Sequence, residues 1–189
     1  MTHAVSIRPR SWALVVCSLI LIALSVRAAI YELTEALEGV SSSDAWLAVG
    51  ASTLSAVVGL VFLAWAARLK PTVLSWLAAF GWGTGGALIF AGYGNTVIDS
   101  AVAASNLSDD AVDVVTSVVT GPLVEETGKG IGVLALVLAA RKVLDRPAQG
   151  GVLGALVGLG FAWGEDVGYY VSALEDGMSG LWESFLARA

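Results

Sequence analysis

The chain has 189 residues, of which 57% are hydrophobic and only 14% are charged. Soluble domains carry about a quarter charged residues, so this composition excludes an ordinary soluble domain and indicates a membrane protein. The net charge of -6 argues against nucleic acid as a partner, and the single Cys17 excludes a disulfide framework or a thiolate metal cluster.

Five apolar segments, each long enough to cross a bilayer as a helix, follow one another along the chain. They predict an all-α fold, a polytopic membrane helix bundle that forms a single membrane domain over residues 1–189. The run SSSD at 41–44 is typical of an N-cap for the second span. The tail 174–189 is amphipathic, and we expect a further helix to follow Ala189. The predicted spans are 12–30, 45–67, 72–92, 123–140 and 151–173.

The distribution of charge predicts the orientation of these spans. Basic residues cluster at the N-terminus and in the second and fourth connections: Arg8, Arg10, Arg68, Lys70, Arg141, Lys142 and Arg146. Acidic residues cluster in the first and third connections: Glu32, Glu35, Glu38, Asp44, Asp99, Asp109, Asp110 and Asp113. Because positive charge marks the cytoplasmic side, we expect the N-terminus inside and the tail outside.

The segment GPLVEETGKG, residues 121–130, places three ionisable side chains at the start of the fourth span. These are Glu125, Glu126 and Lys129, and each costs about 2.5–3.5 kcal/mol on membrane insertion. Lys129 follows the two glutamates by four and three residues, so on a helix it can pair with either. A second acidic pair, Glu165 and Asp166, lies in the fifth span. Ionisable residues in such segments usually serve chemistry or transport.

The two acidic pairs are predicted to lie in one layer of the membrane. At a helical rise of 1.5 Å per residue, Glu125 lies roughly 3–5 Å and Glu165 roughly 12 Å below the outer boundary, depths that agree within the uncertainty of span ends. Glycines at four-residue spacing are expected to bring the fourth and fifth spans into contact. Trp82 and Trp163 are expected to pack against glycines rather than bind a ligand. The glycines include Gly128, Gly132, Gly160 and Gly164.

Two motifs resemble those of a known family. GPLVEETGKGIGVLAL resembles the EExxK signature of the PrsW family of intramembrane metalloproteases. GFAWGEDVGYY, residues 160–170, resembles the family's second signature, FxxxE followed by an amide residue, with Asp166 in the amide position. The two motifs have the family's order and lie on consecutive spans. The resemblance covers roughly residues 118–175.

The resemblance implies hydrolysis of a peptide bond in a transmembrane protein substrate. It implies a catalytic metal with a bound water, and we expect the metal to be zinc. It also implies that the protein lies in a lipid bilayer, which we expect to be the bacterial plasma membrane. It implies catalytic roles for Glu125, Glu126 and Lys129, and metal ligation by Glu126, Glu165 and Asp166. Which glutamate acts as general base stays open at this point.

The sequence departs from the family's pattern in one respect. The third signature is a histidine on a later membrane helix, whereas the sole histidine here, His3, precedes the first span. Zinc sites built from carboxylates alone are unusual, so we expect the chain as given to be incompletely equipped for catalysis.

Other functions stay open beside proteolysis. The chain could act as a non-catalytic membrane scaffold that binds transmembrane partners. It could also translocate protons or ions, since buried carboxylates and a lysine form relays. Membrane proteases of the prenyl-protein type open with a glutamate pair but place an arginine after a longer gap. The position of Lys129 therefore favours the PrsW family over that group.

Overall fold

The computed structural model describes residues 12–66, 72–105, 107–141, 144 and 146–188. Within these residues the chain forms helices and no strand, which confirms the all-α prediction. The helices are α1 (Trp12–Ala36), α2 (Ser42–Ala66), α3 (Val73–Ala103), α4 (Asp109–Val114), α5 (Gly121–Ala140), α6 (Pro147–Ala173) and α7 (Gly177–Arg188).

Local sequence explains where α2 begins. Ser41 precedes α2, and its hydroxyl oxygen accepts a hydrogen bond from the Asp44 backbone N–H at 3.2 Å, which confirms the predicted N-cap. The helix α3 contains a π-helical segment, Trp82–Ala87, and a second one, Val115–Thr120, joins α4 to α5. The short 3₁₀ turn Leu174–Asp176 links α6 to α7.

By length and composition, three of the described helices, α1, α2 and α3, can cross a membrane. The helix α3 is longer than the predicted third span. It extends to Ala103, whereas the predicted span ends at Gly92. The ionisable residues of the two motifs lie on α5 and α6, and these two helices remain proposed spans. The predicted orientation is likewise a proposal.

The exposed side chains of α1 and α2 are mostly large and apolar, whereas many of their buried side chains are small. Their buried positions include serines and alanines such as Ser18, Ser25, Ser52 and Ala56. Small residues let helix backbones approach closely in lipid, where large apolar side chains gain nothing by facing inward. This distribution supports a bilayer environment. Exposed side chains on the two helices include Leu19, Ile20, Leu24, Val58, Val61, Phe62 and Trp65.

Among the described residues, the helices pack around one main core and two smaller clusters, one of which joins α3 to α6 through Ala87, Ala91 and Phe161. The main core joins α1, α3, α5 and α6 and includes Leu21, Ala79, Leu136 and Leu156, whose side chains are buried. A smaller cluster holds α7 against α2 and α6: Ala48, Tyr170 and Leu181. The amphipathic tail is therefore a helix whose apolar face packs against α2 and α6.

Glycines bring α3 into close contact with both motif-bearing helices. A Cβ atom added at Gly132 would overlap the indole of Trp82, which also donates a hydrogen bond from Nε1 to the Gly128 carbonyl at 2.9 Å. A Cβ at Gly160 would overlap the backbone carbonyl oxygen of Phe80. The prediction that Trp82 packs against glycine is thus confirmed. The helices α5 and α6, which carry the predicted fourth and fifth spans, do touch, but these glycines face α3 rather than each other.

Substituting Gly160 by alanine is expected to destabilise the fold, because the new methyl group meets a backbone oxygen that no side-chain rotation can move. Overpacking of this kind costs about 1–3 kcal/mol. The matched control is Gly154→Ala on the same helix, where a Cβ meets nothing within 4 Å and alanine has the higher helix propensity. Thermal unfolding in detergent should show a lower midpoint for Gly160→Ala only. Equal midpoints would contradict the packing described for α3 and α6.

Candidate active site

The first motif forms an ion-pair cluster on the first turns of α5. Pro122 lies in the first turn, where a missing backbone N–H is harmless. Two turns after Pro122, Lys129 Nζ lies 2.8 Å from Glu126 Oε1 and 3.6 Å from Glu125 Oε2. The lysine side chain is only 18% exposed, and its positive charge compensates both glutamates.

A cation–π contact joins the two motifs. The Nζ atom of Lys129 lies 3.9 Å from the ring centroid of Phe161, the aromatic residue of the second motif. Ammonium groups are attracted to the face of an aromatic ring, more strongly where water is excluded, and Phe161 is buried. Phe161 and Glu165 are four residues apart on α6 and share one face of that helix. The contact therefore places Glu165 towards the first motif.

Glu125 and Glu165 line the same cavity. The cavity has a volume of about 440 Å³ and lies among α1, α3, α5 and α6. The two carboxylate side chains are 28% and 27% exposed. Phe161 and Trp163 form part of its apolar wall, and Glu32 and Asn95 add polar groups. One carboxylate from each motif thus reaches a space large enough for a short stretch of peptide.

Glu126 and Asp166 do not line this cavity. The Glu126 side chain is 72% exposed and lines a separate surface groove with Lys129 and Gly158. The Asp166 side chain is 5% exposed and faces another pocket, between α2, α6 and α7. The structure therefore brings together Glu125 and Glu165, but it does not bring together Glu126, Glu165 and Asp166 as one ligand set.

Arg188 on α7 binds the acidic pair of the second motif. Its Nε donates a hydrogen bond to Asp166 Oδ1 at 2.6 Å, and its Nη2 lies 3.4 Å from Glu165 Oε2. The guanidinium carbon also lies 3.8 Å from the ring centroid of Tyr169. Burial alone lowers the pKa of Arg188, but the hydrogen bond to Asp166 and the charges of both carboxylates raise it overall. Arg188 was not predicted as part of the site, and only the amphipathic pattern of its helix hinted at the packing that places it.

The donor atoms at the cavity fit part of a metal site. Carboxylate oxygens of Glu125 and Glu165 are suitable ligands for a divalent cation. In the part of the chain that the structure describes, no three His, Cys, Asp or Glu side chains form a group able to hold a metal. His3 lies outside the described residues. Among the described residues, the two motifs therefore bring two carboxylates, Glu125 and Glu165, to the cavity.

Fold and site together define an integral membrane protein with a polar, carboxylate-lined cavity between its helices. The family model of the PrsW family intramembrane metalloproteases matches residues 71–189, and the chain belongs to that family. The match begins just before α3 and so extends well beyond the two motifs. Comparison with curated proteins and with solved structures gave no significant match.

Proposed function

We propose that this chain is an intramembrane protease that hydrolyses a peptide bond of a transmembrane protein substrate in a metal-dependent reaction. The proposal includes zinc as the metal and the bacterial plasma membrane as the location. The observation that carries it is the shared cavity of Glu125 and Glu165, one from each motif of a metalloprotease family. Peptide hydrolysis needs water beside an apolar substrate, and a polar cavity walled by apolar side chains provides both environments.

Each residue at the cavity has a proposed role. Glu125 and Glu165 would share two roles: holding the metal ion, together with a ligand from outside the described residues, and taking a proton from the attacking water as general base. The metal, when bound, would polarise a carbonyl and make water more acidic. Lys129, paired with Glu125 and seated on Phe161, would keep the Glu125 carboxylate directed into the cavity. Trp163 and Phe161 would exclude bulk water from the substrate.

Chelation provides the test of this function. The probe is a fluorogenic single-span peptide, reconstituted in liposomes with the purified chain, and metal content is measured beforehand. We expect cleavage that is lost after treatment with a zinc chelator and restored by added zinc, because the metal supplies chemistry that the side chains lack. Cleavage unaffected by complete metal removal would contradict the metal-dependent proposal.

Two other outcomes identify the alternative functions. Capture of the peptide without cleavage, before and after zinc addition, would indicate a scaffold. Proton or cation flux across liposomes that contain the chain, together with no cleavage, would indicate translocation by the cavity carboxylates. Both outcomes would overturn the protease proposal.

A further inference from the structure

Arg188 contacts a carboxylate of the cavity without lining the cavity itself. Its Nη2 atom lies 3.4 Å from Glu165 Oε2, and Glu165 lines the cavity together with Glu125. Arg188 lines the neighbouring pocket between α2, α6 and α7. From this position it acts on chemistry in the cavity through Glu165 rather than by touching a substrate.

Two further contacts hold the guanidinium group of Arg188 in place. Its Nε donates a hydrogen bond to Asp166 Oδ1 at 2.6 Å, and its carbon lies 3.8 Å from the ring centroid of Tyr169. The Asp166 side chain is only 5% exposed, so this acceptor lies in a packed environment. A guanidinium group is planar and rigid, and contacts to Nε and to one face therefore also fix the position of Nη2 beside Glu165.

A cavity carboxylate needs such a fixed neighbour. A glutamate side chain has several rotatable bonds, and ordering it costs conformational entropy. Glu165 also shares the cavity with Glu125, and two carboxylates at close range repel each other. Misplacement of a reacting group by about 1 Å can slow a reaction about 100-fold. A cation held beside Glu165 opposes both the disorder and the repulsion.

The two acidic partners of Arg188 contribute differently to stability. Asp166 accepts the shorter hydrogen bond and is nearly buried, so its pairing with Arg188 carries most of the stabilisation. The Glu165 pair is longer and joins side chains that are 27% and 29% exposed, and pairs of this kind contribute little to stability. Contact with Glu165 therefore matters chiefly for where that carboxylate lies.

We propose that Arg188 is a positioning residue for peptide-bond hydrolysis, which holds the Glu165 carboxylate in place at the cavity. This inference rests on the proposed function and adds α7, which lies outside both motifs, to the active site. The two acids of the second motif then have different tasks. Asp166 anchors the arginine, and Glu165 takes part in the reaction.

The experiment separates positioning from stability, with the single-span fluorogenic peptide in liposomes supplied with zinc. Asp166→Leu combined with Arg188→Leu removes the cation beside Glu165 but leaves no partner charge buried alone at position 166. We expect its kcat to fall about 10- to 100-fold, with KM within about twofold, because the peptide still binds while Glu165 is misplaced.

The matched control is Leu181→Ala on α7, which removes a buried apolar side chain and keeps Arg188. Assayed below its thermal midpoint, it should keep kcat within about twofold. Unchanged kcat in the double variant, a change confined to KM, or an equal loss of kcat in Leu181→Ala would overturn the inference alone. No cleavage by the unsubstituted chain would overturn the protease proposal and this inference together.

Arg188→Lys is a second test, which does not depend on folding of the double variant. A lysine keeps a positive charge on α7 but lacks the planar group that contacts Asp166 and Glu165 together. Its kcat should fall about three- to tenfold, to a value between those of the unsubstituted chain and the double variant. A kcat equal to that of the unsubstituted chain would show that Glu165 needs no fixed guanidinium and would overturn the inference.

Discussion

Substituting Glu125 by glutamine is expected to reduce cleavage of the single-span reporter about 100-fold or more, as for loss of a general base or metal ligand. The adjacent substitution, Glu126→Gln, is expected to leave the rate within about tenfold. Both glutamates pair with Lys129, but only Glu125 lines the cavity, and Glu126 is 72% exposed. The two variants remove the same charge one residue apart, so each serves as the control for the other.

Glu165→Gln is expected to match Glu125→Gln, since both carboxylates line the same cavity. Initial rates in liposomes, measured with equal amounts of folded protein, provide the comparison. A variant at the exposed Glu183 on α7 should cleave at the unsubstituted rate. If Glu126→Gln lost activity and Glu125→Gln kept it, the catalytic assignment of the cavity would be wrong.

The first motif could be located from the sequence because charged residues are rare in membrane-spanning segments. Glu125 and Lys129 in an apolar run carry a large insertion cost, and their spacing of four residues places them on one helical face. The same helical periodicity puts Phe161, Glu165 and Tyr169, which are four residues apart, on one face of the fifth span. These conclusions follow from covalent geometry and solvation, which act within a single helix and need no knowledge of its neighbours.

The choice of packing partner was not predictable in the same way. Glycine spacing indicates that a helix can approach another closely, but it does not identify the other helix. Gly128 and Gly160 were expected to bring α5 and α6 together, whereas both face α3. The π-helical segment that begins at Trp82 places the indole between the glycines of α5, and nothing in the sequence pattern indicates that turn. Which helix a glycine contacts depends on how α3, α5 and α6 pack against one another.

Arg188 escaped prediction for a related reason. It lies 22 residues from Asp166 and reaches it only because the chain reverses at Gly177, where φ is +75°. Glycine adopts that conformation without the steric cost that a side chain would bring. The apolar pattern of α7 predicted an amphipathic helix, but the burial of Asp166 and its ion pair with Arg188 depend on the turn.

Glu165 lies between two cations that are each held over an aromatic ring. On the same face of α6, Phe161 precedes it by four residues and carries the ammonium of Lys129, and Tyr169 follows it by four and carries the guanidinium of Arg188. Rings hold cations by their faces without neutralising them. Both positive charges therefore remain available to offset the carboxylates of the cavity, which would otherwise repel each other at close range.

Arg188 also stabilises the fold, and its substitution is the second change expected to have a large effect. Arg188→Leu is expected to lower the free energy of unfolding by about 2–3 kcal/mol, because Asp166, with only 5% of its side chain exposed, loses its counter-charge. Breaking a fully buried pair costs about 3–5 kcal/mol, and the 29% exposure of Arg188 reduces that figure. Unfolding in mixed micelles titrated with SDS gives the measurement.

A double-mutant cycle separates the ion pair from the packing of the arginine side chain. Asp166→Leu combined with Arg188→Leu removes both charges, so most of the lost stability should return, because no uncompensated charge stays buried. Arg188→Lys should fall between the unsubstituted chain and Arg188→Leu, since an ammonium keeps the charge but cannot contact Asp166 and Glu165 through a planar fork. If the double variant were as unstable as Arg188→Leu alone, the loss would come from the packing of the arginine stem, and α7 would be held by Leu181 and its neighbours rather than by the ion pair.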